Sequence, residues 1–171
     1  MRALRSLRGV AVLVAACAAP AADAPTGAGS ILGRWFFDNG RDRAHIEISR
    51  AGEFFEGRIV WLERPNYPLD DALGMGGRPK IDRRNPDPGL RTRPILGLKI
   101  LEGLRYNGRH AWIGGRVYAP DEGRSYKGKA WLDNGVLKVR GYVGFSFLGR
   151  TMEWPRVSSD EGTPPLPAES R

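Results

Sequence analysis

Two histidines, His45 and His110, are the side chains best suited to general-base work near neutral pH. Each sits at a polar strand position beside a turn. No Gly-x-Ser-x-Gly or His-Glu-x-x-His run accompanies them. They read as surface residues, no catalytic residue is assigned, and a non-enzymatic protein is expected. Asp82-x-x-Asn85-x-Asp87 offers oxygen ligands of the kind a hard cation takes, but Lys80, Arg83, Arg84 and Arg91 surround it. The spacing also departs from a calcium loop. Asn85-Pro86 and Asp87-Pro88-Gly89 are turn formers, so neither a metal nor a cofactor is expected.

The richer supply is aromatic and cationic. With strict alternation, Trp112, Gly114, Arg116 and Tyr118 share one strand face. Tyr126, Gly128, Ala130 and Leu132 share another, and Lys138, Arg140 and Tyr142 a third. Pointed inward, such faces give apolar walls with room beside the glycines, and Arg116 or Arg140 would meet an anionic head group. Trp112, Arg116, Tyr118, Tyr126 and Arg140 are therefore candidate ligand-binding residues. The competing reading has the aromatics filling the interior and the arginines stacking outside on exposed rings. Arg91 and Arg93 lie near Asp82 and Asp87 in sequence. They are either ion-paired struts or an anion site.

The lone cysteine bears on compartment. Arg2, Arg5 and Arg8 precede an apolar run over 9–16, too short to span a bilayer. Val14-Ala15-Ala16-Cys17 then reads as a bacterial lipobox, with Cys17 lipidated. Plain export with cleavage near Ala19-Pro20-Ala21 is the alternative, and would discard Cys17. Either way the mature chain, with no second cysteine, has no disulfide. The formal charge is +8, or about +5 without the three leading arginines. An anionic amphiphile or lipid suits that balance, and nucleic acid is not an expected partner of an exported protein. Membrane association is expected through a lipid anchor at most. The localisation expected is periplasm or cell envelope.

These residues must be positioned by strands, for helical periodicity is nearly absent. Strand-like runs fall at 33–38, 43–49, 53–62, 94–106, 109–118, 124–132, 136–143 and 149–156. Asp38-Asn39-Gly40, Ala51-Gly52, Asn107-Gly108, Pro120 to Gly123 and Asp133-Asn134-Gly135 punctuate them. The expected fold is all-β: an antiparallel up-and-down meander of about eight strands, closing into a small barrel because closure removes exposed edges. Residues 63–92, rich in proline and glycine, are expected to form one long irregular loop. The organisation expected is a signal peptide over 1–16, a flexible tether over 17–30, the barrel over 31–156 and a disordered tail over 157–171.

Several core segments resemble a known family. Gly57-Arg58-Ile59-Val60-Trp61-Leu62, Asp82-x-x-Asn85-Pro86-Asp87-Pro88 and Arg91-Thr92-Arg93-Pro94-Ile95-Leu96-Gly97 carry the likeness. So do Trp112 through Tyr118, Gly123-Arg124-Ser125-Tyr126, Leu137 through Gly141, and Arg150-Thr151-Met152-Glu153-Trp154-x-Arg156. In order, they resemble the exported bacterial proteins called domain of unknown function 2147. The resemblance implies a small exported β-domain and no established activity. It also implies cysteines at three places held here by Glu56, Tyr142 and Gly149, so thiol chemistry there is absent from this chain. A weaker resemblance is to lipocalin-like barrels, carried by Gly33-x-Trp35 and by Arg150 or Arg156. It implies a first-strand tryptophan packed under a last-strand arginine. The function expected is binding of a small apolar or anionic amphiphile inside the barrel. The alternative is an interaction module with a filled barrel, docking on an envelope protein or acidic glycan.

Overall fold

The computed structural model describes residues 27–157. The expected signal peptide, Cys17 with most of the tether, and residues 158–171 of the tail lie outside the described residues. Eight strands follow in chain order: β1 (Gly33–Asp38), β2 (Arg43–Ala51), β3 (Phe54–Leu62), β4 (Lys99–Tyr106), β5 (Ala111–Ala119), β6 (Arg124–Asp133), β7 (Val136–Tyr142) and β8 (Arg150–Trp154). Each pairs antiparallel with the next in one sheet. Closure comes from the residues around and just after β8. The Phe36 amide donates to the Pro155 carbonyl at 2.8 Å, and the Val157 amide to the Arg34 carbonyl at 3.0 Å.

Turn chemistry fixes the register. The Asn39 side chain accepts from the amides of Arg41 and Asp42, and Asn107 accepts from those of Arg109, His110 and Ala111. Such side-chain acceptance closes a hairpin without help from outside. Alternation on β2 puts Ala44, Ile46 and Ile48 inside. At Gly114 the alternation fails. Its φ of +77° is open to glycine at little cost, and the β5–β6 register shifts between Trp112 and Gly115. Trp112 is therefore buried while Arg116 is exposed. The facing strand slips as well, at Gly103 with φ +68°, so that both Leu101 and Leu104 point into the core.

One end of the barrel is solid. Trp35, Trp112 and Trp154 are fully or almost fully buried with Phe55, Leu104 and Leu137. The Trp35 indole donates to the Ile31 carbonyl at 2.8 Å, and Trp112 to the Ala28 carbonyl at 3.3 Å. Arg156 lies over the Trp35 ring at 4.1 Å and donates to the carbonyls of Leu32 and Ser30 at 2.8 and 2.7 Å. Three expectations are corrected here. Residues Gly27–Ile31 form a 3₁₀ turn under the barrel, because Ile31 is wholly buried and the Ser30 carbonyl of the turn receives Arg156, so the tether stops before them. Val157 belongs to the barrel through its bond to Arg34. β4 starts at Lys99 rather than at position 94, because the chain turns at Gly97, whose φ is +84°. Leu98 is buried and bonded to β3 through its carbonyl and the Ile59 amide.

The long connection from β3 to β4 spans residues 63–98 and carries its own structure. Asn66 bridges to Pro79 and Ile81 to Pro94. Tyr67 is buried, its hydroxyl donates to the Ile81 carbonyl at 3.0 Å, and Arg83 covers its ring at 4.3 Å. Arg83 also pairs with Asp71 at 3.0 Å. Burial of Asp71 pushes its carboxyl pKa up, but Arg83 and the Leu73 and Met75 amides together outweigh it, and the net shift is downward.

Candidate functional site

The other end of the barrel is hollow. A cavity of about 650 Å³ opens there, a size that suits a small ligand. Its wall is mainly apolar, from Ala44, Ile46, Ile59, Ile100, Val117 and Met152, with Trp154 toward the closed end. The connection over 63–98 forms part of the mouth through Tyr67, Pro68, Ile81 and Ile95. Trp154 is wholly buried, yet its indole N–H has no hydrogen-bond partner among the described residues.

Cations ring the mouth, and most are engaged. Lys80 pairs with Asp42 at 2.7 Å, Arg83 with Asp71, and Arg84 donates to the Asp121 carbonyl at 2.7 Å. Arg41 and Arg150 also line the cavity, and their guanidinium groups have no partner among the described residues.

The mouth is braced by a buried polar knot. Asp82, fully buried, accepts from Tyr118 at 2.7 Å through one oxygen. Its other oxygen accepts from Asn85 at 2.7 Å and from Arg93 at 2.9 and 3.1 Å. The Asn85 amide also donates to the Tyr118 hydroxyl at 3.0 Å, and Asn85 Oδ1 accepts from the Asp87 amide. The oxygens of Asp82 and Asn85, offered by type to a cation, are spent within this knot. Burial, with the Asp82 carboxylate beside it, pushes the Tyr118 phenol up to about 12. The β5–β6 turn packs against the same loop: a Cβ on Gly123 would come within 1.9 Å of the Arg84 carbonyl oxygen, so only glycine allows the approach.

The residues picked out from sequence divide accordingly. Tyr118 and Tyr126 line the cavity, and the Tyr126 hydroxyl donates to Glu122, itself at the mouth. Trp112 belongs to the solid end, against Phe55 and Tyr106. Arg116 faces out beside Glu102 and Lys99. Arg140 is committed to the turn before β8: it donates to the Ser146 carbonyl at 2.5 Å, the Phe147 carbonyl at 2.9 Å and Thr151 Oγ1 at 2.6 Å. Arg93 is a strut to Asp82, and Arg91 donates to the Asn85 carbonyl at 2.8 Å. The residues that reasoning from sequence did not assign to the site are Arg41, Arg150 and Trp154. His45 stacks on Trp61 at 4.5 Å, away from His110 in the β4–β5 turn.

An eight-stranded antiparallel meander, solid at one end and hollow at the other, with an arginine over the first-strand tryptophan, defines a lipocalin-like barrel. A solved Helicobacter pylori protein, HP1028, described as belonging to the lipocalin family, shares this fold. The two are 22% identical, the match covers 76% of this chain and 84% of that one, and the TM-score is 0.61. The chain belongs to the family described as uncharacterized proteins conserved in bacteria, DUF2147, whose model matches residues 33–156. No curated protein matches it.

Proposed function

We propose that the protein binds a small apolar or anionic amphiphilic ligand in its barrel and does no chemistry on it. The supporting observation is the cavity of about 650 Å³, with aliphatic walls and the unengaged Arg41 and Arg150 at its mouth. An apolar chain gains about 25 cal/mol for each Å² withdrawn from water. The cations add orientation and selectivity more than strength. The cavity favours this reading over a filled barrel that serves only as a docking module. Trp154 lies in the wall, so its emission reports occupancy. Titration with medium-chain fatty acids is expected to give a saturable emission shift. Absence of any shift, with no heat of binding, contradicts the proposal.

The proposal extends to place. The basic start, short apolar run and Val14-Ala15-Ala16-Cys17 sequence support export to the bacterial envelope with a lipid on Cys17. Metabolic labelling with a radioactive fatty acid is expected to mark the chain and to fail in Cys17→Ser. Label of equal intensity in both contradicts the anchor.

A further inference from the structure

In an up-and-down meander the connections alternate between the two ends of the barrel. Those after β2, β4 and β6 lie at the solid end. Those after β1, β3, β5 and β7 lie at the mouth, where residues of all four line the cavity. The two sets differ in what they expose. Leu69 and Leu73 after β3, and Val143, Phe145, Phe147 and Leu148 after β7, are each at least 69% exposed. No other large hydrophobic residue among the described residues exceeds 46%. The solid-end turns show Gly52-Glu53, Asn107-Gly108-Arg109 and Asn134-Gly135 to water instead. The β7–β8 loop is held in place: Phe145 and Phe147 stack at 5.6 Å between centroids, and Arg140 binds the Ser146 and Phe147 carbonyls and Thr151 Oγ1.

Charge on this sector of the rim has one sign. From Asn134 to Met152 the chain has no acidic residue. Arg150 at the foot of the loop, and Arg41 in the β1–β2 turn, are exposed and without a partner among the described residues. Asp38 and Asp42, which flank Arg41, are paired with Arg43 and Lys80. The exposed acids Asp70, Asp121 and Glu122 belong to the other two connections.

We infer that the mouth is a membrane-docking surface: the apolar residues of the β7–β8 loop, with Leu69 and Leu73, enter the interface of an anionic lipid bilayer, and Arg41 and Arg150 meet its headgroups. A large exposed apolar patch on an ordered loop marks an interaction site. Apolar residues flanked by cations are the composition that lies in a bilayer interface, where arginine stems pack on apolar surface and their heads reach the phosphates. The lipid proposed on Cys17 names the occupant, because it would hold the barrel beside a bilayer. Gly27 lies ten residues after Cys17, and ten residues reach at most about 35 Å. The longest strand, β6, has ten residues and is about 33 Å long. The mouth can therefore face the bilayer although the chain enters at the solid end. The choice of occupant rests on that export reading; the exposed patch does not. Docking goes beyond the anchor, since it orients the barrel so that the cavity opens on the lipid phase.

The test uses the full chain with Cys17→Ser, which removes the anchor. An environment-sensitive fluorophore on Phe147→Cys would be compared with one on Arg109→Cys in the β4–β5 turn. Vesicles of equal parts phosphatidylcholine and phosphatidylglycerol are expected to shift the first emission to the blue and to leave the second unchanged. In co-sedimentation with the same vesicles, Phe145→Ser combined with Phe147→Ser is expected to weaken binding by about tenfold or more. Arg41→Gln combined with Arg150→Gln is expected to weaken it by about tenfold and to leave the weaker binding to phosphatidylcholine alone unchanged. No shift at position 147, equal shifts at both positions, or undiminished binding in either double variant overturns the inference. A blue shift without vesicles that grows with protein concentration gives the surface to a second copy of the chain and likewise overturns it. These outcomes leave the ligand-binding reading intact, and the lipid on Cys17 is decided separately by the labelling above.

Discussion

The two ends of this barrel solve one packing problem in opposite ways. At the solid end, side chains of maximal volume fill the interior, and the N–H groups of Trp35 and Trp112 are spent on the carbonyls of Ile31 and Ala28. At the hollow end, small and aliphatic residues such as Ala44 and Val117 leave the interior open. Rigidity there is supplied from outside, by the loop over 63–98 and the knot at Asp82. The contrast shows how a chain of this size keeps an internal cavity and remains ordered. The large buried side chains are concentrated at the solid end, and the open end is braced by hydrogen bonds that hold a wall without filling it.

The contrast can be broken at either end. The largest effect is expected from Trp35→Ala, which removes a fully buried ring and the surface that Arg156 covers. A loss of about 3–5 kcal/mol is expected by urea unfolding. Asp82→Ala strips the partners from Tyr118, Asn85 and Arg93 at once and is expected to cost about 2–3 kcal/mol. It is also expected to weaken ligand binding, because the knot holds the mouth, whereas binding as tight as in the unaltered protein would show that the loop needs no such brace.

Tyr118→Phe is a finer cut, expected to cost about 1 kcal/mol, since Asp82 keeps its other donors. It carries a pH signature. The folded phenol titrates at about 12, above its ordinary value of 10. The fold therefore favours the neutral form. That contribution is complete below about pH 10 and is lost as pH climbs toward 12. Stability measured across this window is expected to fall in the unaltered protein and to fall less steeply in Tyr118→Phe. The smallest change in stability is expected from Ala44→Phe, which fills space in the cavity wall. It is expected to cost below about 1 kcal/mol, less than overpacking a full core costs, while ligand affinity drops at least tenfold.

Much of the barrel was legible because its signals are local. Asn107-Gly108 and Asp133-Asn134-Gly135 mark turns that close between adjacent strands, and Trp35 with an arginine near the chain's last strand marked the closed end. The structure selects Arg156 for that role. The faces of β5 were misread at one point. Strict alternation put Trp112 and Arg116 together, whereas the slip at Gly114 separates them. The Gly114-Gly115 pair was the available signal, since a glycine within a strand often marks a bulge. The knot was half legible: Asp82, Asn85 and Arg93 stood out as turn formers and struts. Tyr118 lies 36 residues from Asp82, and no local rule joins them.

In the proposed function the hollow end carries a molecule. The most direct test is native mass spectrometry of the full chain, released gently from the cells that make it. A reproducible added mass is expected, removed by solvent extraction and missing from Ala44→Phe. Bare protein, obtained repeatedly under conditions that preserve a known carrier's cargo, would contradict it.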